Sequence, residues 1–398
     1  MKMKKFLALL LSIAMVIALV SCSMPKKAEK NKYNLAKSAQ VTEETVNDFD
    51  FSADAQKYTE YIGTHFKNRN IVDEGENTEN THDETKKWIE AQLNKAGFQK
   101  GRVSEEVTVP DYYEDRFTVK DAKSGMAAPT NIVAEIPGKN PTRQIIVGAH
   151  YDGDGIGDNG TGFALLLAEA VNLVDAQPNY SVRFVFFDAE EIGGFGAEHY
   201  ARLIRNRGEA ENTLFMVNLD SLGFGDYCNI YGGVAKDNRV EETGAYDFAM
   251  AKAEAIGLKT MGTEELDGYY AKNGKGPKIE EKTIYTNPWT FKNPAPKNAD
   301  YPSPSTGDWS DHVGFKKLGI PYLYMEATNW YAKGDNGEDA YTGYFDTGRA
   351  NLAEHGMFMN TKYDTLKNIN KYFPGRTLQH FQVFSPLLSA VIVDAQAV

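Results

Sequence analysis

Three apolar stretches of this chain each end in side chains that commonly bind metal ions. The ends are His150-Tyr151-Asp152 with Asp158 after residues 145–149, Asp188-Ala189-Glu190-Glu191 after residues 182–187, and Asp220 after residues 214–219. In open α/β sheets the reactive groups collect at the carboxyl ends of strands, so we expect these three ends to converge on one cleft. One imidazole with several carboxylates, and no cysteine among them, is the ligand set of a hydrolytic zinc site.

The first end holds residue types that can bind a metal and orient a ligand. His150 offers an imidazole nitrogen, and Asp152 can accept a hydrogen bond from the other ring nitrogen, which fixes the tautomer and raises the basicity. Asp158 is a carboxylate that could bridge two cations. The run Asp158-Asn159-Gly160 could equally be only a turn and a helix cap, which is a common use of these residues. Beside His150, we interpret Asp158 as a ligand.

The second end places two glutamates next to each other. Like charges repel there unless a cation or a proton separates the roles of Glu190 and Glu191. An isolated pair of this kind is usually two solvated side chains before a turn. The largely apolar strand that precedes this pair favours the functional interpretation.

The rest of the chain supplies the elements that must position these groups. Its 398 residues are 42% hydrophobic and 25% charged, which is a globular composition with enough length for one large core or two modest ones. The formal net charge is −12 and no basic stripe stands out, so we expect no nucleic-acid partner. Strand patterns alternate with helical patterns, such as residues 161–174. This alternation predicts a three-layer, doubly wound α/β fold, with a mixed, mainly parallel sheet and helices on both faces.

The N-terminus predicts export and a lipid anchor. Three lysines precede an apolar run over residues 6–20, which is short for a membrane span and ends in Leu19-Val20-Ser21-Cys22. Small residues before a cysteine at this point resemble the bacterial lipoprotein signal, in which Cys22 carries the lipid. The alternative is a plain secretory signal with a chance cysteine. We expect a signal peptide at residues 1–22, a flexible tether at residues 23–50, and attachment to the extracytoplasmic side of the cell membrane through Cys22.

The expected catalytic domain covers residues 51–398. Within it, residues 257–309 are rich in Gly, Pro, Asn, Lys and Tyr and only weakly periodic, which predicts a lid-like insertion. Cys228 lies in a strand-like stretch without an evident activating base nearby. We expect it to be a packed core thiol.

Four motifs resemble metallopeptidase family 28, the co-catalytic zinc aminopeptidases. They are Gly148-Ala149-His150-Tyr151-Asp152, Asp158-Asn159-Gly160-Thr161-Gly162, Phe187-Asp188-Ala189-Glu190-Glu191-Ile192-Gly193-Gly194 and Asn218-Leu219-Asp220-Ser221-Leu222-Gly223. The resemblance runs from about Phe51 to the C-terminus and implies a zinc-peptidase fold.

By this resemblance, His150, Asp158, Glu191 and Asp220 bind zinc, with Asp158 in the bridging position. Glu190 is then the general base, which takes a proton from the attacking water and passes it to the leaving amine.

One position departs from the family pattern. The family has a late histidine in a motif His-Thr-x-x-Asp-Thr, and this chain has Asn360-Thr361-Lys362-Tyr363-Asp364-Thr365. The amide oxygen of Asn360 is a weaker zinc ligand than an imidazole, so one zinc ion is expected and a second is left open. Three explanations compete: His355 takes the place of the missing ligand, the second metal is weak or different, or catalysis has been lost.

His312, in a further segment that the family shares, either borders the substrate pocket or forms a structural pair with its neighbouring aspartate.

These observations predict a lipid-anchored zinc-dependent aminopeptidase with peptide substrates. The alternative is a catalytically impaired lipoprotein that uses the peptidase fold to bind peptides or other ligands. A glutaminyl cyclase on the same fold is disfavoured, because in that relative the single zinc uses the late histidine that this chain replaces with Asn360.

Overall fold

The computed structural model describes most of the chain from Gln40 onward. The described residues are 40–72, 79–101, 108–119, 126–236, 239–242, 244–262, 265, 269, 272–273, 280–286, 308–328, 359 and 361–398. Cys22, His355 and Asn360 lie outside these residues.

Helices and strands alternate along the described part of the chain. The helices are α1 Ser52–His65, α2 His82–Ala96, α3 Gly160–Asn172, α4 Phe195–Asn206, α5 Gly244–Ala255, α6 His312–Lys316, α7 Leu366–Tyr372 and α8 Arg376–Val393. The strands are β1 Gln99–Lys100, β2 Asp111–Arg116, β3 Thr130–Ile136, β4 Asn140–His150, β5 Tyr180–Phe187, β6 Thr213–Leu219, β7 Tyr227–Lys236, β8 Arg239–Glu242, β9 Lys259–Met261, β10 Thr283–Tyr285 and β11 Tyr322–Thr328.

The strands described here form one mixed sheet of 11 strands. Its order is β1-β2-β3-β5-β4-β6-β11-β7-β10-β9, with β8 paired to β7 outside this path. The central strands β5, β4, β6 and β11 run parallel, whereas β3 pairs antiparallel with β5 and β7 pairs antiparallel with β11. From β4, the chain adds β5 on one side and β6 on the other. This reversal is the topological switch point at which α/β folds place their ligands.

Both faces of the sheet are buried under helices. Along β4, Ile145 and Val147 point into a large core together with α3, whereas Ile146 points into a second core with Ala197 and Tyr200 of α4. Because successive strand residues face opposite sides, a strand covered on both faces must be apolar at nearly every position. The predicted doubly wound α/β class is therefore confirmed.

The predicted tether ends too late in the sequence. Val41 and Phe49 are buried in the large core, and the backbone N–H of Val41 donates to the Asp394 carboxylate at 3.2 Å. A 3₁₀ helix, Val46–Phe49, precedes α1. The charged residues between these two anchors gave the segment a polar composition, but two apolar side chains are enough to pack it onto the fold.

The segment predicted as an insertion contributes strands to the edge of the sheet. The two three-residue strands β9 and β10 pair parallel with each other, and β10 pairs with β7. These described parts extend the sheet at its edge, and the lid-like insertion over residues 257–309 stays a prediction. Such short strands are set by pairing with a neighbour and leave little periodic signal.

Two further expectations concern single features. Cys228 lies on β7, is 5% exposed, and burial raises the pKa of its thiol well above the ordinary value, as expected for a packed thiol. Among the residues with a described structure, none of the helices is long and apolar enough to span a bilayer.

Candidate active site

The three sequence clusters lie at adjacent strand ends. Strand β4 ends at His150, β5 ends at Phe187 and β6 ends at Leu219, and these strands are parallel neighbours with β4 in the middle. The loops that follow carry Asp158, Glu190 and Asp220. Parallel pairing therefore brings the predicted residues to one edge of the sheet.

His150 is at the centre of the cluster and is fully buried. Its Nε2 atom lies 3.2 Å from Asp158 Oδ1, 3.7 Å from Asp220 Oδ1 and 4.0 Å from Glu190 Oε2. Its Nδ1 atom lies 3.5 Å from Asp152 Oδ1. Neither ring nitrogen makes a hydrogen bond with good geometry to any of the described residues. A buried nitrogen without a hydrogen bond, facing three carboxylates, is a site that suits a cation.

The donor atoms also have the spacing of a metal site. One ligand atom each from His150, Asp158 and Glu191 lies within 4.8 Å of the other two. His150 and Asp158 are buried, whereas Glu191 is exposed. A nitrogen and two carboxylate groups that keep one side toward solvent have the donor set of a catalytic zinc site with an open position. The residues present therefore fit a zinc ion.

The charges in the cluster shift one another's pKa values. Burial lowers the pKa of His150, but the charge of Glu190 and contacts with other carboxylates outweigh it and hold that pKa well above its ordinary value. Burial raises the pKa of Glu190 well above the ordinary range. The protein around the Glu191 carboxylate removes part of its hydration although the residue reaches solvent, and together with the charge of Asp158 this raises the pKa of Glu191 to about 8. Several groups here therefore hold protons in the absence of a metal, and a bound cation would displace them.

Asp152 fixes the turn that carries the two glutamates. Its carboxylate oxygens accept hydrogen bonds from the backbone N–H groups of Glu190, at 3.1 Å, and Glu191, at 3.2 Å. The same carboxylate lies beside His150 Nδ1, where it was expected. Asp152 thus connects the first two clusters.

Asn159 connects the loop of Asp158 to the end of β6. Its side-chain N–H group donates to the carbonyl oxygen of Leu219 at 2.9 Å, and its side-chain oxygen accepts from the N–H groups of Ser221, at 3.2 Å, and Gly162, at 3.0 Å. The cap role considered for this turn is therefore performed by Asn159, which starts α3. Asp158 is left to face His150.

The segment before α6 adds residues that the sequence did not single out. Ser310 donates from its hydroxyl to Asp220 Oδ2 at 2.6 Å and accepts from the Asn218 side-chain amide at 2.7 Å. The Asp311 side chain is 1% exposed, and neither carboxylate oxygen has a hydrogen-bond partner among the described residues. Burial and nearby charges, including Asp220, raise the pKa of Asp311 well above its ordinary value.

His312 lies on an aromatic cluster. Its buried ring stacks on Tyr324, with centroids 5.2 Å apart, and packs at a tilt against Tyr322 at 4.8 Å. Of this segment, Ser310 contacts the metal-ligand cluster directly. The signal that could have identified Ser310 is its place in the same family-like segment as His312.

The loop between His150 and Asp158 is held from outside the cluster. The Arg69 side chain is buried and donates to the carbonyl oxygens of Tyr151, Phe66 and Gly155 at 2.6–2.9 Å. Arg69 thus satisfies backbone carbonyls that would otherwise be buried without donors.

The flanks of Asn360 lie near the cluster. Met359 Sδ lies 3.5 Å from the hydroxyl of Ser221, the residue after Asp220. Asp364 accepts a hydrogen bond from the N–H group of Asp158 at 3.2 Å. Met359, before the late motif, and Asp364, within it, therefore both contact residues of the site.

Comparison with known families agrees with this site. Residues 131–277 match the sequence model of peptidase family M28. The matched region contains His150, Asp158, Glu190, Glu191 and Asp220.

Two curated relatives show how far the sequence similarity extends. It is 28% identical over 267 residues to the alkaline phosphatase isozyme conversion protein of Escherichia coli, covering 62% of this chain and 65% of that one. It is 39% identical over 112 residues to an aminopeptidase of Pseudomonas aeruginosa, covering 27% of this chain and 21% of that one. The chain spans less than two thirds of the length of these relatives.

Solved structures share the fold of this chain. A glutaminyl cyclase from an Acidobacteriales bacterium is similar with a TM-score of 0.56 and 18% identity, covering 90% of this chain and 96% of that one. The LapA aminopeptidase of Legionella pneumophila is similar with a TM-score of 0.52 and 16% identity, covering 93% and 78%. A fold that carries both a cyclase and a peptidase does not decide the reaction, so function must be argued from the site.

Proposed function

We propose that this chain is a zinc-dependent aminopeptidase, anchored by lipid on Cys22 at the extracytoplasmic face of the cell membrane. The observation that carries the proposal is the convergence of His150, Asp158 and Glu191 within 4.8 Å, with Glu190 Oε2 4.0 Å from His150 Nε2. This arrangement pairs a metal-ligand set with a separate carboxylate that can move protons.

In this proposal each residue has one task. His150, Asp158, Glu191 and Asp220 hold zinc, which supplies Lewis acidity that polarises the scissile carbonyl and makes a water more acidic. Glu190 takes the proton of that attacking water and delivers it to the leaving amine. Because its backbone N–H is bonded to Asp152, Glu190 keeps a fixed starting point for both transfers.

Aminopeptidase action, rather than attack inside a chain, is supported by charge and by the aminopeptidase relatives. The site contains six carboxylates, from Asp152, Asp158, Glu190, Glu191, Asp220 and Asp311. One cation offsets only part of this acidity, so the site favours substrates that bring a free ammonium group. One zinc ion is the expected content, since Asn360 stands where the family has a fifth ligand.

The test uses the purified full-length protein. Bound metal is measured, and aminoacyl and dipeptide substrates are assayed with and without added zinc. In Glu190→Gln we expect hydrolysis to fall by about 10²–10⁴-fold with zinc content unchanged, the range for loss of a general base. In Glu191→Gln we expect the zinc content itself to fall.

Two further arms separate the alternatives. A substrate with N-terminal glutamine distinguishes peptidase from cyclase, since cyclisation releases ammonia and leaves the peptide bond intact. A protein that binds zinc but hydrolyses nothing, even as Asn360→His, would favour the binding-only alternative. For the anchor, we expect Cys22→Ser to move the protein from the membrane fraction to the soluble extracytoplasmic fraction.

A further inference from the structure

Asp188 is a fully buried carboxylate just behind the proposed general base. It accepts hydrogen bonds from the Tyr151 hydroxyl at 2.9 Å and from the backbone N–H groups of Thr130, at 2.8 Å, and Ala189, at 2.9 Å. His82 Nε2 lies 2.8 Å from its Oδ1 atom. Four donors thus meet on one side chain, from β3, the end of β4, the turn after β5, and α2.

The turn that Asp188 holds has an unusual backbone. Ala189 has a φ angle of 61°, in the left-handed region that favours glycine. A non-glycine residue there is strained and persists only where its surroundings enforce it. The surroundings here are two carboxylates, because Asp188 takes the N–H of Ala189 and Asp152 takes those of Glu190 and Glu191. The direction in which Glu190 leaves the backbone depends on both.

Among these four donors, His82 lies farthest from Asp188 in the sequence. It begins α2, outside the region that matches the family model, and is 2% exposed. Its ring stacks on Tyr151 with centroids 5.4 Å apart. Burial lowers the pKa of His82, but the hydrogen bond and charge of Asp188 outweigh this and raise it, so the ring donates to Asp188. Its Nδ1 atom is buried without a hydrogen-bond partner among the described residues.

The contact of His82 Nε2 with Asp188 points to a role beyond filling space. An apolar ring of the same size could stack on Tyr151 but could not donate to Asp188. No other side-chain nitrogen among the described residues donates to that carboxylate.

We propose that His82 is a positioning residue, which holds Asp188 in the orientation that fixes the Ala189 turn and thereby aims Glu190 at the substrate. This inference rests on the proposed function. The sequence of contacts is His82 Nε2 to Asp188, Asp188 to the Ala189 N–H, and the Ala189 turn to Glu190.

The test compares His82→Phe, which keeps the stacking ring and removes the donor, with His82→Gln, which keeps an N–H donor of similar reach. In the zinc-loaded full-length enzyme, we expect His82→Phe to lower kcat by about 10-fold or more with KM changed by less than about 2-fold, as for loss of an oriented base. We expect His82→Gln to recover most of the activity. The matched control is His65→Phe on α1, an exposed histidine stacked on Tyr61 at 4.0 Å, which should leave kcat unchanged.

A readout independent of activity keeps the inference distinct from the proposed function. Hydrogen exchange of the Ala189, Glu190 and Glu191 amides should accelerate by about 10-fold or more in His82→Phe and stay near wild type in His82→Gln. If the protein hydrolyses no substrate, the proposed function fails while this exchange pattern still decides whether His82 positions the turn.

Two results would overturn the proposal. One is wild-type kcat and wild-type exchange in His82→Phe. The other is a loss of activity in His82→Phe that His82→Gln shares fully, since the donor would then not be what matters. If His82→Phe does not fold, Tyr151→Phe removes a different donor from Asp188 and should change kcat and the exchange of Ala189 in the same direction.

Discussion

Asp364 accepts a hydrogen bond from the backbone N–H of Gly157 at 2.6 Å, although 207 residues separate the two. A second N–H, that of Asp158, donates to its other oxygen. The aspartate of the late motif is therefore a support for the loop that presents a proposed zinc ligand. These two hydrogen bonds give the aspartate of that motif a structural role of its own.

The first prediction removes this support. Asp364→Ala leaves the N–H groups of Gly157 and Asp158 without their acceptor, and an unsatisfied buried donor costs about 1–3 kcal/mol. We expect a loss of at least that size in the free energy of unfolding, measured with urea, and weaker zinc binding. Asp364→Asn, which keeps one acceptor oxygen, should lose less. Removal of the exposed carboxylate in Asp154→Ala is the control, and an equal loss there would contradict the assignment.

The second prediction concerns protons released when zinc binds. In the metal-free protein, the pKa of His150 is held well above its ordinary value and that of Glu191 is raised to about 8. Both groups must lose their protons to bind a metal, so at pH 7 zinc binding should release more than about one proton. Calorimetry in two buffers of different ionisation enthalpy measures this number. Because protons compete with zinc for these ligands, the apparent zinc affinity should fall as pH falls. A zinc affinity that does not depend on pH would contradict the proposed ligand set.

The third prediction assigns a role to Asp311. Its charge is one of those that raise the pKa of Glu190, after burial and against the opposing effect of His150. Asp311→Asn should therefore lower the pKa of Glu190 and move the acid limb of kcat/KM to lower pH, since the base is active when deprotonated. The matched control is Asp308→Asn, which changes a half-exposed aspartate paired with Lys316 at 2.6 Å. A shift to higher pH would show that Asp311 acts in another way.

The fourth prediction lies far from the site, in the core between α3 and α8. Glu169 is fully buried and accepts hydrogen bonds from the hydroxyls of Ser385, at 2.8 Å, and Ser389, at 2.6 Å. Burial raises its pKa well above the ordinary value despite these bonds. A carboxyl whose folded pKa is raised contributes stability that is complete below the unfolded pKa and is lost as pH rises toward the folded pKa.

Glu169→Gln cannot ionise, so it should escape this alkaline loss. Each pH unit within the window corresponds to at most about 1.4 kcal/mol. We expect the urea midpoint of the variant, relative to wild type, to rise steadily from pH 5 to pH 9. Glu84→Gln, an exposed glutamate on α2, should follow wild type at every pH. Parallel curves for wild type and Glu169→Gln would rule out the shifted pKa.

The part of the site that sequence predicts well is the part that follows apolar strands. His150, Glu190 and Asp220 each lie at or just after the end of an apolar run that is typical of a buried strand. Parallel pairing of these strands then places the three residues together. The same local signal does not exist for Ser310. Its bond to Asp220 spans 90 residues and follows a weakly periodic stretch, so it depends on the completed tertiary structure.

The supporting residues were missed for a related reason. His82 and Arg69 lie outside any motif, on a helix start and in a loop. Tyr151, which Arg69 contacts, and Asp188, which His82 contacts, are 82 and 106 residues away from them in the sequence. Thr81 lies at the N-cap position of α2, where a threonine commonly caps the helix, but its hydroxyl donates to the carbonyl oxygen of Asn68 instead. The polar strand β2, Asp111–Arg116, also carries no continuous apolar run, and its pairing with β3 and β1 makes it a strand. Local patterns predict elements, whereas long-range hydrogen bonds must be observed.

The buried thiol on β7 can be used to measure local unfolding by chemical labelling. From Ser23 onward Cys228 is the only cysteine in the sequence, and it is 5% exposed with the thiolate form suppressed by burial. A maleimide added to the folded domain should therefore react slowly, at a rate limited by the opening of the structure around β7. The labelling rate, measured by mass spectrometry, would give the rate at which the sheet opens around β7. It can be compared between the zinc-loaded and the zinc-free protein without an introduced probe.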